Sequence, residues 1–182
     1  MTVRHILLGG LLAAGLAGAG AGTIRIAHNQ TAATPSNVEE GKHVFRVACA
    51  GCHKWHGNGG GGYGGDALSL RKTQLTRDQI VEVVSCGRPG TGMPYFLRDA
   101  YEDKHCYGGI SRQDLGNAPL ATAPSGFLRP KEIDAVADYA MADVKGKGEP
   151  TYAQCTEFFG EGSRVCNVYK TSQPSGSPKE GG

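Results

Sequence analysis

The chain has no apolar run long enough to cross a bilayer, which takes about 20 residues. Its longest apolar stretch, from Ile6 to about Leu16, is short and interrupted by glycine. Charge of either sign is not in excess: 19 Lys+Arg stand against 17 Asp+Glu, for a formal net charge of +2. No basic block occurs, so a surface that neutralises nucleic-acid phosphates is excluded. Soft sulfur donors are scarce, with 3 Met and 6 Cys in 182 residues. Only one closely spaced cysteine pair exists, and a four-cysteine zinc site needs two. No nucleophile–base pair or acidic dyad stands out, which removes the common hydrolytic classes.

The one cysteine pair is Cys49-Ala50-Gly51-Cys52, and His53 follows it directly. Cys-x-x-Cys-His is the attachment signature of c-type haem. Two thiols three residues apart can reach the two vinyl groups of one porphyrin, and the next residue falls beneath the iron. The motif occurs once, so one covalent haem c is expected, held by Cys49 and Cys52 with His53 as proximal ligand. A redox dithiol follows a strand and opens a helix. Here the pair follows a helical pattern and runs into a glycine-rich segment.

The first 22 residues read as an export signal. Arg4 and His5 precede the apolar stretch, and small residues offer Ala17-Gly18-Ala19 and Ala19-Gly20-Ala21 as cleavage sites. Cleavage removes one of the 19 basic residues and none of the 17 acidic ones, leaving a formal +1 that two haem propionates bring near neutral. Periplasmic localisation is the expectation, with no membrane anchor after cleavage. Cys86, Cys106, Cys155 and Cys166 then form an even set in an oxidising compartment, which allows two disulfides in three connectivities. Cys86–Cys106 and Cys155–Cys166 join sequence neighbours and are the simplest pairs to close.

Along the chain, residues 23–35 read as a polar linker, and Ser36 to Glu39 as a capping box that opens a helix running to Cys49. Seven glycines in residues 57–65 suit a loop that passes close over a flat ligand. A second capping box, Thr76 to Gln79, starts a helix with Ile80, Val81, Val83 and Val84 on its buried face and Gly87 as its stop. Arg88 to Phe96 contains two prolines and two glycines and is irregular. Residues 98–129 form a long irregular insertion. Pro130 starts a third helix, buried through Ile133, Val136, Ala137, Ala140 and Val144. Residues 146–182 are a C-terminal extension, disordered at its end.

This order of elements resembles the class I, single-haem bacterial cytochromes c. The resemblance covers residues 36–145, with 98–129 as an insertion. It rests on the haem motif, on Gly92-Met93-Pro94, and on the spacing Gly41, Phe45, Cys49. It implies an all-α domain wrapped around the haem, in which Gly41 lets the last helix cross closely and Phe45 packs near Tyr139. The Tyr95-Phe96 continuation and the C-terminal extension are also similar to the cytochromes that accept electrons from periplasmic dehydrogenases.

Met93 is the candidate distal ligand. Met1 leaves with the signal, and Met141 lies in a helical pattern and is expected in the core. Met93 sits in a proline-bounded loop 40 residues beyond His53. His/Met ligation fills both axial positions and raises the potential relative to two histidines. Trp55 and Tyr63 are candidates for haem-edge packing, His56 for the haem environment, and Arg71 and Arg88 for the propionates. The expected function is one-electron transfer between redox proteins, such as a periplasmic dehydrogenase and a terminal acceptor. A fixed cytochrome subunit of a larger complex, or a haem enzyme or sensor with a labile distal ligand, are the alternatives.

Overall fold

The computed structural model describes residues 34–60, 67–102 and 106–170. The expected export signal, most of the linker, Tyr63 and the end of the extension lie outside them. Among the described residues the fold is all-helical, with only isolated bridges between extended segments. Five helices follow in order: α1 (Pro35–Val44), α2 (Ala50–His53), α3 (Arg77–Cys86), α4 (Pro130–Tyr139) and α5 (Tyr152–Phe159). A π-helical turn, Phe45–Cys49, joins α1 to α2, and a second, Ala140–Val144, extends α4.

Helix α1 begins two residues earlier than its sequence signal. Thr34, not Ser36, is the N-cap and accepts from the Asn37 amide at 3.4 Å. Pro35 then takes the first helical position, where its missing N–H costs nothing. The cap of α3 is as read: Thr76 and Gln79 bond reciprocally, and Gly87 ends the helix at φ 66°. Pro130 opens α4.

Helices α1 and α4 cross at Gly41. A Cβ there would sit 2.0 Å from the Ala135 carbonyl oxygen and 2.8 Å from Tyr139 Cβ. Only hydrogen permits the approach. One turn on, Phe45 meets Tyr139 with ring centroids 5.4 Å apart. Phe45, Ile133, Val136, Ala137 and Val144 are all buried and form the centre of the core. Arg77 at the start of α3 reaches across to α4, where its Nε lies 2.5 Å from the buried carboxylate of Asp138. That pair pins the third helix to the crossing.

The packing does not stop at residue 145. Thr151 and Gln154 cap α5 reciprocally, an element absent from the sequence reading. Its Phe158 is 3% exposed and belongs to the main core, edge-on to Phe45 at 6.4 Å. The Arg46 guanidinium lies 4.8 Å over the Phe158 ring and donates to its carbonyl. Lys42 pairs with Glu157 at 3.5 Å. Cys155 and Cys166, with sulfurs 2.07 Å apart, close the end of the extension.

The insertion forms a second, smaller cluster of Cys86, Tyr95, Ala100, Tyr101 and Cys106 beside the main core. Cys86 at the end of α3 is bridged to Cys106, with sulfurs 2.05 Å apart. No helix among the described residues is long and apolar enough to cross a membrane.

Candidate functional site

A cavity of about 610 Å³ lies between α2, α3, α4 and the Met93 loop. That falls within the roughly 300–1,000 Å³ of sites that bury a ligand-sized group. Phe45, Ile80, Val84, Val136 and Ala140 supply much of its apolar wall. Cys49, Cys52 and His53 line one part, and Met93 with Pro94 another. The continuous helix from α1 delivers the first set, and the irregular loop after Gly87 delivers the second. The motif and the methionine, 40 residues apart in sequence, therefore open onto one space.

Cys49 and Cys52 are the two cysteines outside the disulfides. Burial, reinforced by the neighbouring Cys52, pushes the Cys49 thiol up to about 12. It is a neutral thiol across the physiological range. Redox-active Cys-x-x-Cys pairs shift the opposite way, toward thiolate. Among the described residues no cluster of three or more His, Cys, Asp or Glu could hold a bare metal ion.

His53 Nδ1 lies 3.2 Å from the Leu68 carbonyl oxygen. A carbonyl only accepts, so Nδ1 carries the proton and Nε2 keeps its lone pair. This contact fixes the ring tautomer, as outer partners of ligating histidines commonly do. Burial lowers the His53 pKa; the Leu68 bond opposes this and the Arg88 charge adds to it. A neutral imidazole with a defined donor nitrogen is a competent iron ligand. The donor set, two thiols, one imidazole and one thioether around an apolar cavity, fits a covalently held haem.

Other expected neighbours of the haem are placed elsewhere. Arg88 does line the large cavity. Trp55, His56 and Arg71 do not; they line a separate cavity of about 90 Å³ beside α5. Lys54 ends α2 at φ 63°, and the chain beyond it turns toward the extension. Trp55 packs against Phe158 at 6.0 Å, Phe159 at 5.8 Å and Tyr169 at 5.3 Å. Arg71, 6% exposed, donates to the His56 carbonyl at 2.5 Å, the Gly148 carbonyl at 2.8 Å and Gln154 Oε1 at 3.0 Å. Those acceptors take three of its five N–H donors and tie Arg71 to the extension, outside the large cavity. Met141, expected in the core, is 36% exposed.

Two contributors were invisible in the sequence. Leu68 acts through its backbone carbonyl, which any residue carries. Lys72 lines the cavity as a second cation beside Arg88, and a lone lysine in a loop has no signature. Tyr63 and most of the glycine run lie outside the described residues.

Residues 36–106 match the sequence profile of the family described as cytochrome c oxidase, cbb3-type, subunit III. No curated protein and no solved structure matches the chain. The match spans the attachment motif, α3 and the Met93 loop. The matched stretch is 71 of the 182 residues; with the helical fold it supports a c-type cytochrome domain, with haem c as the cofactor and electron transfer through that haem as the chemistry.

Proposed function

We propose that this c-type cytochrome is an exported carrier that moves single electrons between redox proteins through one His/Met-ligated haem. The observation that carries the reading is the convergence of Cys49, Cys52, His53 and Met93 on one apolar cavity. Cys49 and Cys52 would hold the haem through thioethers, and His53 Nε2 and Met93 Sδ would ligate its iron. Haem bound in this way supplies a reversible one-electron couple. The residues of the chain do the rest. Leu68 orients the imidazole. The thioether, a soft neutral donor, favours the reduced iron. Apolar walls exclude water, and Arg88 and Lys72, which line the cavity, would offset the propionate charge. Iron held by both His53 and Met93 would leave no ligand position for a small substrate.

The decisive experiment is a spectroelectrochemical titration of the holoprotein together with a peroxide turnover assay. A single one-electron wave, the ferric iron–thioether charge-transfer band and no turnover are expected. Robust peroxidase turnover at the native iron moves the assignment to a haem enzyme. Donors and acceptors are identified by kinetics: a periplasmic dehydrogenase should reduce the protein in stopped-flow mixing. The near-neutral holoprotein should show only modest salt dependence.

A second reading, a fixed subunit of a larger oxidase or dehydrogenase, is favoured by the family match itself, whose description names an oxidase subunit. Native purification separates the two. A carrier elutes alone from the periplasmic fraction, whereas a subunit elutes with its complex.

A further inference from the structure

The insertion is built around the loop that carries Met93. Helix α3 ends at Gly87, φ 66°, where a Cβ would lie 2.7 Å from the Tyr95 amide nitrogen and 2.8 Å from the Met93 carbonyl oxygen. The loop therefore folds directly back over the helix end. Its own bonds are short-range: Arg88 N–H donates to the Met93 carbonyl at 3.1 Å, Thr91 N–H and Thr91 Oγ1 to the Arg88 carbonyl at 3.0 and 2.7 Å, and Met93 N–H to Thr91 Oγ1 at 3.2 Å.

At its far end Phe96 N–H donates back to the Val84 and Ser85 carbonyls of α3 at 3.1 and 3.2 Å, and further restraints reach the loop from the insertion. Gly90 N–H donates to the Pro119 carbonyl at 2.8 Å and Tyr95 N–H to the Ala121 carbonyl at 3.3 Å. Leu128 N–H donates to the Phe96 carbonyl at 2.8 Å. At the base of the loop, Tyr101 donates to the Cys86 carbonyl at 2.7 Å and Tyr107 to the Gly87 carbonyl. Tyr107 is itself anchored, because its N–H donates to Glu82 Oε1 on α3 at 2.9 Å. The Cys86–Cys106 bridge ties the two sides together, and both cysteines are almost wholly buried.

We propose that the insertion is a clamp that positions the Met93 thioether, with Tyr101, Tyr107 and the Cys86–Cys106 bridge as its positioning groups. The proposal rests on Met93 being the distal ligand. Haem and iron are held by the attachment motif, so the clamp governs only whether sulfur stays on the iron. A loop rich in glycine and proline has little local structure to hold one side chain in place. External bonds to its backbone supply the missing order, and their loss lets the sulfur leave without unfolding the domain.

The test compares Tyr101→Phe, Tyr107→Phe and Cys86→Ser/Cys106→Ser with Cys155→Ser/Cys166→Ser, all as holoproteins. The last variant removes a bridge of similar kind in the extension, outside the insertion, and controls for general loss of stability. Readouts are the ferric iron–thioether band on heating, the midpoint potential, and carbon monoxide binding to the ferrous iron. Each clamp variant should raise the sulfur-off fraction about tenfold, the order of effect of one lost hydrogen bond. Carbon monoxide should bind correspondingly faster, and the band should fade well below the unfolding transition. The control should keep band and potential and lose only thermal stability. If the tyrosine variants match the wild type in band, potential and carbon monoxide binding, the clamp is refuted. If the wild-type band is missing and Met93→Ala changes nothing, the ligand assignment fails instead, and the clamp with it.

Discussion

At the scale of single residues, the proposed chemistry rests on four side chains that line one cavity. Two of these yield direct expectations. Cys52→Ala removes one thioether, so mass spectrometry should find singly attached haem or no stable holoprotein. Acid–acetone extraction of all haem from the unmodified protein would contradict covalent attachment. Met93→Ala should lower the potential and open the iron to cyanide and carbon monoxide. Axial identity is one of the factors that spread haem potentials over about 0.8 V, so the shift should be readily measurable. An unchanged spectrum and potential would assign the sixth position to another group. Met141 is a poor substitute, because it is solvent-exposed and does not line the cavity.

At the scale of elements, the α1–α4 crossing and the start of α4 carry the most testable physics. Gly41→Ala places a methyl group 2.0 Å from a backbone oxygen that cannot move without shifting α4. Overpacking of this sort costs about 1–3 kcal/mol, and a backbone obstacle puts it at the upper end. Denaturant unfolding should show the loss, and a neutral Gly41→Ala would mean the helices separate freely. At the start of α4, Glu132 accepts from the Arg129 amide at 2.8 Å and from its guanidinium at 2.6 Å. These contacts hold the Glu132 carboxyl at about 2, down from the usual 4.5. A depressed folded-state pKa means stability that is full above 4.5 and is lost as pH falls toward 2. Wild type should therefore lose more stability than Glu132→Gln across that window. Parallel pH curves for the two proteins would show that this cap contributes nothing.

At the scale of the whole molecule, the C-terminal extension is part of the domain. Phe158 shares the core with Phe45, and Arg46, Lys42 and Arg71 each hold α5 from a different element. Burial of an aromatic ring this complete makes Phe→Ala cost about 3–5 kcal/mol. Phe158→Ala should lower the thermal midpoint accordingly and loosen Trp55, visible as a red shift in its fluorescence. Since Trp55 is the single tryptophan, the signal is unambiguous. A midpoint within a degree of wild type would return the extension to the status of an appendage.

What the sequence determined by itself was local. Covalent attachment needs two thiols three residues apart and a following imidazole, all within one turn, so Cys49, Cys52 and His53 can be nominated from the sequence alone. Helices α3 and α4 were legible for the same reason, because Thr76, Gln79, Gly87 and Pro130 act on neighbours within a few positions. The start of α1 slipped by two residues because Thr34 and Ser36 are both good caps, and Pro35 between them decides. Only the tertiary structure decided which face each remaining side chain meets. Trp55, His56 and Arg71 have the chemistry of haem neighbours, yet they turn toward α5, with Arg71 bonding to Gln154 83 positions away. Leu68 serves through a carbonyl that every residue possesses. The insertion read as unstructured because its order comes from bonds to the Met93 loop and α3, not from any period of its own. Chemistry that needs contiguous residues is written in the chain, whereas contacts that need the chain to return on itself exist only once it has folded.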